Sequence, residues 1–158
     1  PATIPRHVDY YDSRSSHGST LSRVVHAWVL ARSDRPRATR YFAEALQSDV
    51  NDIQQGTTAE GVHLGAMAGT VDLVQRGTMG IEVTADVLRL NPKLPLEVER
   101  LDMHLRYRGH SLDLRLTRDA LTVRGCNGGA APIKLGIKNE VHEFSGSSTL
   151  VFKLDSPT

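Results

Sequence analysis

The chain has one cysteine, Cys126, among 158 residues, so no internal disulfide can form. That fits a reducing compartment such as the cytoplasm. Aromatic residues are scarce at 5%, with a single tryptophan, Trp28. Since aromatics usually supply much of a core's buried area, the core here must rest on Leu, Val, Ile and Ala. There is no apolar run long enough for a membrane-spanning helix, and the first residues lack a signal-peptide pattern. Net charge is only +1, which gives no argument for nucleic acid or a membrane as partner.

What is present is an ordinary globular composition, 39% hydrophobic and 23% charged, arranged in two halves with different periods. Residues 1–18 hold Pro1, Pro5, the polar run from Asp12 to Ser16 and Gly18, and read as extended or irregular. From Ser19 the pattern is helical. Leu21, Val24, Val25, Trp28, Val29 and Ala31 go almost all the way round a helix, predicting burial on most sides. Pro36 opens a second helix, with Ala38, Tyr41, Phe42, Ala45 and Leu46 inward and Arg37, Arg40 and Glu44 outward. Thr57 and Glu60 make a capping-box pair for a third helix, ending at Gly77. Gly61, Gly65 and Gly69 recur within it every four residues. Each helical glycine costs about 1 kcal/mol relative to alanine, so the stripe demands close approach of another backbone or of a ligand.

Beyond Gly80 the period falls to two. Leu101, Met103, Leu105 and Tyr107 point one way, and Asp102, His104, Arg106 and Arg108 the other. Further alternating stretches at "HSLDLRLTRD", "ALTVRG", "APIKLGIKNEVHEF" and "STLVFKL" complete an antiparallel sheet or small sandwich, with residues 125–131 as a surface loop. The fold class is therefore α+β, helices first and strands second.

Three long stretches carry a resemblance: "YYDSRSSHGSTLSRVVHAWVLAR", "SDVNDIQQGTTAEGVHLGAMAGTVDLVQRG" and "LRLNPKLPLEVERLDMHLRYRGHSLDLRLT". Over about residues 9–124 the chain resembles the C-terminal end of glycoside hydrolase family 65. The likeness is nearest to the family's actinobacterial branch. The family contains trehalose, maltose and kojibiose phosphorylases and phosphate-dependent trehalase-like enzymes. The resemblance implies that residues 1–79 are the last helices of an (α/α)6 catalytic barrel and residues 80–158 a C-terminal antiparallel β domain. It also implies that the general-acid glutamate lies upstream of this chain. On this expectation the chain is a C-terminal portion without catalytic residues of its own, partnered by the remainder of the barrel or an N-terminal domain, and a homo-oligomer.

The candidate site is "HGSTLS". Ser19 or Thr20 can simply cap the following helix. A helix N-terminus with hydroxyls and orphan amides is equally a ready anion site, and the resemblance implies phosphate binding by Ser19 and Thr20. His17 either adds a contact or shapes the loop. His63 reads by itself as a structural histidine, whereas the resemblance places it at the same phosphate. Glu60 is explained by the capping box. Asp9 and Asp12 remain open as carboxylates close to the loop. His26 reads as a packing residue. His104, His110 and His142 show no metal-ligand spacing, and Cys126 reads as inert, so no metal is expected. Arg106, Arg108, Arg115, Arg118 and Arg124, interspersed with acids, read as a solvated sheet face.

Two functions follow. The first is the phosphate-side wall of an inverting α-glucoside phosphorylase or phosphate-dependent hydrolase, with inorganic phosphate as co-substrate or activator and no other cofactor. The second is a non-catalytic oligomerisation or carbohydrate-binding module. Nothing in the sequence selects between trehalose, maltose and kojibiose.

Overall fold

The computed structural model describes residues 3–16, 18–31, 33–53, 55–56, 59, 61–126 and 130–154. They form two compact units, Pro1–Gly77 and Thr78–Thr158.

The first unit is helical. Its first element corrects the expectation of an irregular start: α1 spans Thr3–Asp12. Pro5 lies in the first turn, where a missing N–H is tolerated. The far end is fixed by tertiary bonds. Asp12 Oδ1 accepts from His26 Nδ1 at 2.6 Å and from the Tyr41 hydroxyl at 2.8 Å, and Oδ2 accepts from Arg37 Nη2 at 2.7 Å. A carboxylate at a helix C-terminus opposes the helix dipole, so these partners outweigh the local preference.

The second helix, α2, spans Thr20–Leu30 and is capped by Ser19, whose Oγ accepts from the Leu21 N–H at 3.3 Å. Its buried face is Thr20, Val24, Ala27 and Leu30. The expected all-round burial does not occur: Leu21, Val25 and Trp28 are 48%, 52% and 38% exposed and form an i, i+4, i+7 strip. α3 spans Arg35–Gln47, with Asp34 as its cap and Pro36 in its first turn. It buries Ala38, Tyr41 and Ala45 as expected, while Leu46 stays exposed. Arg37 does not face outward; it reaches Asp9 at 2.6 Å as well as Asp12. Arg23 joins α2 to α3 through Glu44 at 3.1 Å.

The predicted start of the next helix, Thr57 and Glu60, lies outside the described residues. α4 spans Leu64–Asp72 and continues as a wider π-type turn over Leu73–Thr78. Gly61 sits before it at φ +95°, so it is not part of the helical stripe. Gly77 does not stop the helix either; the residue with left-handed backbone is Gly80, φ +67°. The remaining glycines face α2. A β-carbon on Gly65 would lie 3.6 Å from Leu21 Cδ2, one on Gly69 2.5 Å from Val24 Cγ1, and one on Gly77 3.7 Å from Ala31 Cβ. Contacts that advance together along both helices mean α2 and α4 run parallel, and a neighbouring helix supplies the compensation the glycines require.

The second unit contains β1 Ile81–Thr84, β2 Val87–Leu90, β3 Arg100–Tyr107, β4 His110–Thr117, β5 Ala120–Gly125, β6 Ile133–Ile137, β7 Glu140–Phe144 and β8 Thr149–Lys153. One sheet has the order β3-β4-β5-β8, antiparallel throughout. The other, β1-β2-β6-β7, contains one pair that departs from the expected antiparallel pattern: β2 and β6 are parallel. The whole β3–β4–β5 meander separates them, so no tight turn dictates their polarity. Arg108 and Gly109, at φ +47° and +81°, are the two left-handed residues of the β3–β4 turn, the geometry that matches the strands' twist.

Alternation places Leu112, Leu114 and Leu116 of β4 and Leu121 and Val123 of β5 inside. Leu88, Leu90, Leu135 and Phe144 of the other sheet meet them in one shared core, a small sandwich. Leu101, Met103, Leu105 and Tyr107 pack at its edge as their period predicts. The opposite face of the β3–β4–β5 sheet is solvated and laced with ion pairs: Asp102 meets Arg100 and Arg115, each at 2.7 Å.

Candidate anion site at paired helix N-termini

Because α2 and α4 are parallel and meet at Leu21 and Gly65, their N-termini lie side by side. Each is the positive end of a helix dipole with orphan backbone N–H groups, so their effects on an anion add. The residues at the two caps are Ser19 and His63, two of the residues singled out from sequence. Ser19 is exposed, whereas Thr20 is only 5% exposed. His17 lies outside the described residues.

His63 does not cap α4 with its side chain. Its ring is engaged by Asp49, a residue the sequence reading did not select. Asp49 Oδ1 meets His63 Nδ1 at 2.6 Å, and Oδ2 accepts from the His63 backbone N–H at 2.8 Å. The Asp49 side chain is 6% exposed. The bond from the His63 ring holds its carboxyl below the ordinary value, against the opposing effect of burial. Asp49 stands just after α3 and His63 just before α4, so no short motif announces the pair.

The two carboxylates left open near the loop are occupied. Asp9 is paired with Arg37. Burial acts to raise the Asp12 pKa, but hydrogen bonds from Tyr41, Arg37 and His26 outweigh it and bring the value below that of an ordinary carboxylate. A carboxylate so stabilised in its charged form is a poor general base near neutrality. His26 packs edge-on to Tyr41 at 5.5 Å, the structural role expected of it.

In the β unit, Cys126 has neighbours that its place in the sequence does not announce. His104, Asp113 and Cys126 come from β3, β4 and the end of β5, and their ligand-type atoms lie within 4.8 Å of one another. Asp113 already accepts from Arg124 and from His104 Nδ1, the latter at 2.9 Å. The Arg124 guanidinium disfavours a second cation at the same carboxylate. His110 is buried and bonds the Ala131 carbonyl through Nε2 at 2.8 Å. His142 lies against Phe152 at 5.0 Å.

Residues 1–72 match the model of the glycosyl hydrolase family 65 central catalytic domain, and residues 81–144 that of the family's C-terminal domain. The chain belongs to glycosyl hydrolase family 65. It is 45% identical over 150 residues to an uncharacterized glycosyl hydrolase of Mycobacterium tuberculosis, covering 95% of this chain and 11% of that protein. It is 35% identical over 114 residues to the trehalose 6-phosphate phosphorylase of Lactococcus lactis, covering 72% and 15%. With the kojibiose phosphorylase of Caldanaerobacter subterraneus it shares 28% over 134 residues, covering 84% and 17%. A solved structure of a candidate kojibiose phosphorylase from the human microbiome superposes with a TM-score of 0.81 at 20% identity, covering 96% of this chain and 22% of that one, and shares the fold. The chain thus spans a small part of the length of the relatives it matches. Among the described residues, no helix is long and apolar enough to cross a membrane.

Proposed function

We propose that this segment forms the phosphate-side wall of the active site of an inverting phosphorylase, or phosphate-dependent hydrolase, acting on an α-linked glucose disaccharide of the trehalose type. The observation that carries the reading is the side-by-side placement of the α2 and α4 N-termini, with Ser19 and His63 at their caps. A phosphate held there meets two positive dipole ends, the Ser19 hydroxyl, the first amides of α2 at Thr20 and the His63 imidazole. His17 belongs to the same proposed set by its place in the loop.

In the reaction, a phosphate oxygen attacks the anomeric carbon as the glycosidic C–O bond breaks. A carboxylic acid elsewhere in the catalytic domain protonates the leaving oxygen, and a sugar 1-phosphate of inverted configuration results. An inverting hydrolase instead needs a carboxylate base to activate water. Asp9 and Asp12 are held by basic partners, which favours phosphate in that role. The named relatives that are phosphorylases support the same choice. We place the exposed Leu21, Val25 and Trp28 strip against the rest of the catalytic domain, and assembly into a homo-oligomer, in the cytoplasm, completes the proposal.

The test uses a chain in which this segment is joined to a complete family 65 catalytic domain. His63→Ala and Ser19→Ala should each raise the KM for phosphate about tenfold, since losing a hydrogen bond to a charged group costs about 1.5–3 kcal/mol. KM for the disaccharide should change far less. Unchanged phosphate dependence in both variants overturns the reading.

A further inference from the structure

We infer that Asp49 is the positioning residue of this site, fixing the His63 imidazole so that Nε2 is the ring atom presented to the anion. The inference rests on the phosphate reading above and adds a residue to it.

The geometry is that of one carboxylate serving two donors of a single residue. Oδ2 takes the His63 backbone N–H and Oδ1 faces the ring's Nδ1. With backbone and ring both tied to one rigid group, the imidazole has little freedom to rotate. The carboxylate can only accept, so Nδ1 must carry its proton and donate. That defines which nitrogen points elsewhere, the same service an outer carboxylate performs for a metal-binding or catalytic histidine, and in the doubly protonated ring, which the carboxylate favours, the Nε2–H is the donor that an anion can accept. The carboxylate itself is secured by being nearly buried at the end of α3, so its placement follows the helix and not a mobile side chain.

There is a second consequence at α4. Because the His63 ring turns to Asp49, it offers no side-chain acceptor to the first amides of the helix. Those amides stay oriented toward the corner where α2 also begins. Asp49 therefore does two things at once: it orients the histidine and keeps it from capping the helix whose N-terminus would bind the anion.

Two measurements test this. In the 15N-labelled chain, long-range imidazole spectra should show His63 protonated at Nδ1. Asp49→Asn, whose amide has one accepting oxygen for the two His63 donors and an NH2 that can face Nδ1 instead, should weaken that preference, and Asp49→Glu should restore it in part. In the chain joined to a complete catalytic domain, Asp49→Asn should raise KM for inorganic phosphate roughly tenfold, the low end of what loss of such an outer partner costs. The KM for disaccharide should stay within about twofold on the same grounds, and Asp49→Glu should fall between wild type and Asp49→Asn. If His63→Ala and Ser19→Ala both leave the phosphate KM unchanged, the phosphate reading fails and this inference with it; if only His63→Ala does, the inference fails while the reading stands on Ser19. If His63→Ala raises that KM but Asp49→Asn and Asp49→Glu leave both it and the Nδ1 signal unchanged, the inference alone is overturned.

Discussion

Gly69 and Val24 are packed so closely that a β-carbon on the glycine would stand 2.5 Å from Val24 Cγ1. Val24 is buried and β-branched, so it has no long flexible end to swing aside. Gly69→Ala should therefore destabilise the helical unit by about 1–3 kcal/mol, the cost of overpacking, even though alanine favours helix by about 1 kcal/mol. Gly65→Ala is the matched control. Its β-carbon would meet Leu21 at an ordinary 3.6 Å, so the propensity gain should survive. Opposite shifts of the urea midpoint are expected, and equal shifts contradict the packing account.

Asp12 ties α1 to α2 and α3 through three donors. Asp12→Ala should cost about 1–3 kcal/mol and loosen α1 first, which hydrogen exchange of residues 3–12 would show. The pH dependence follows from the direction of its shift. The folded carboxyl has a lower pKa than the unfolded one, so its contribution is fully present above the unfolded value of about 4. It is lost as pH falls through the lower folded value. The acid destabilisation of the wild-type helical unit below about pH 4 should be shallower in Asp12→Ala.

Ser19 has two roles that one substitution can separate. As a cap it is worth about 1 kcal/mol, and aspartate caps equally well. Ser19→Asp should hold stability within about 0.5 kcal/mol of wild type, because the negative charge also suits the helix dipole. The same charge repels phosphate. Phosphate KM in the complete catalytic domain should rise by more than the roughly tenfold expected of Ser19→Ala. A Ser19→Asp variant that binds phosphate normally would show that the residue is a cap and nothing more.

Cys126 stands beside Asp113, and the hydrogen bond and negative charge of that carboxylate push the thiol pKa up from its ordinary value. Less thiolate is present at a given pH, and thiolate is the reactive form. Asp113→Asn should therefore speed alkylation of Cys126 by iodoacetamide at pH 8. A slower or unchanged rate would show that Arg124, not Asp113, governs the thiol.

The parts legible in the sequence are those whose cause is local. Alternation along Leu101–Tyr107 and Leu112–Leu116 fixed which side chains face the sandwich core, because a strand's period is two whatever its neighbours are. The Ser19 cap and the Pro36 start of α3 were readable for the same reason, each being decided within one turn. Tertiary structure decided the rest. α1 does carry an amphipathic spacing, with Val8 packed against the helical core, but Pro5 and the polar run that follows hide it; its far end is fastened by Asp12, which finds His26, Arg37 and Tyr41 at distant positions. The parallel β2–β6 pair depends on where a whole meander returns. The glycines' purpose became visible only with α2 laid along them, since a missing side chain says that something approaches but not what. His63 was visible as a residue type, while Asp49, which orients it, was not. Their bond joins the end of one helix to the start of another, and only the packing of α3 against α4 brings the two together.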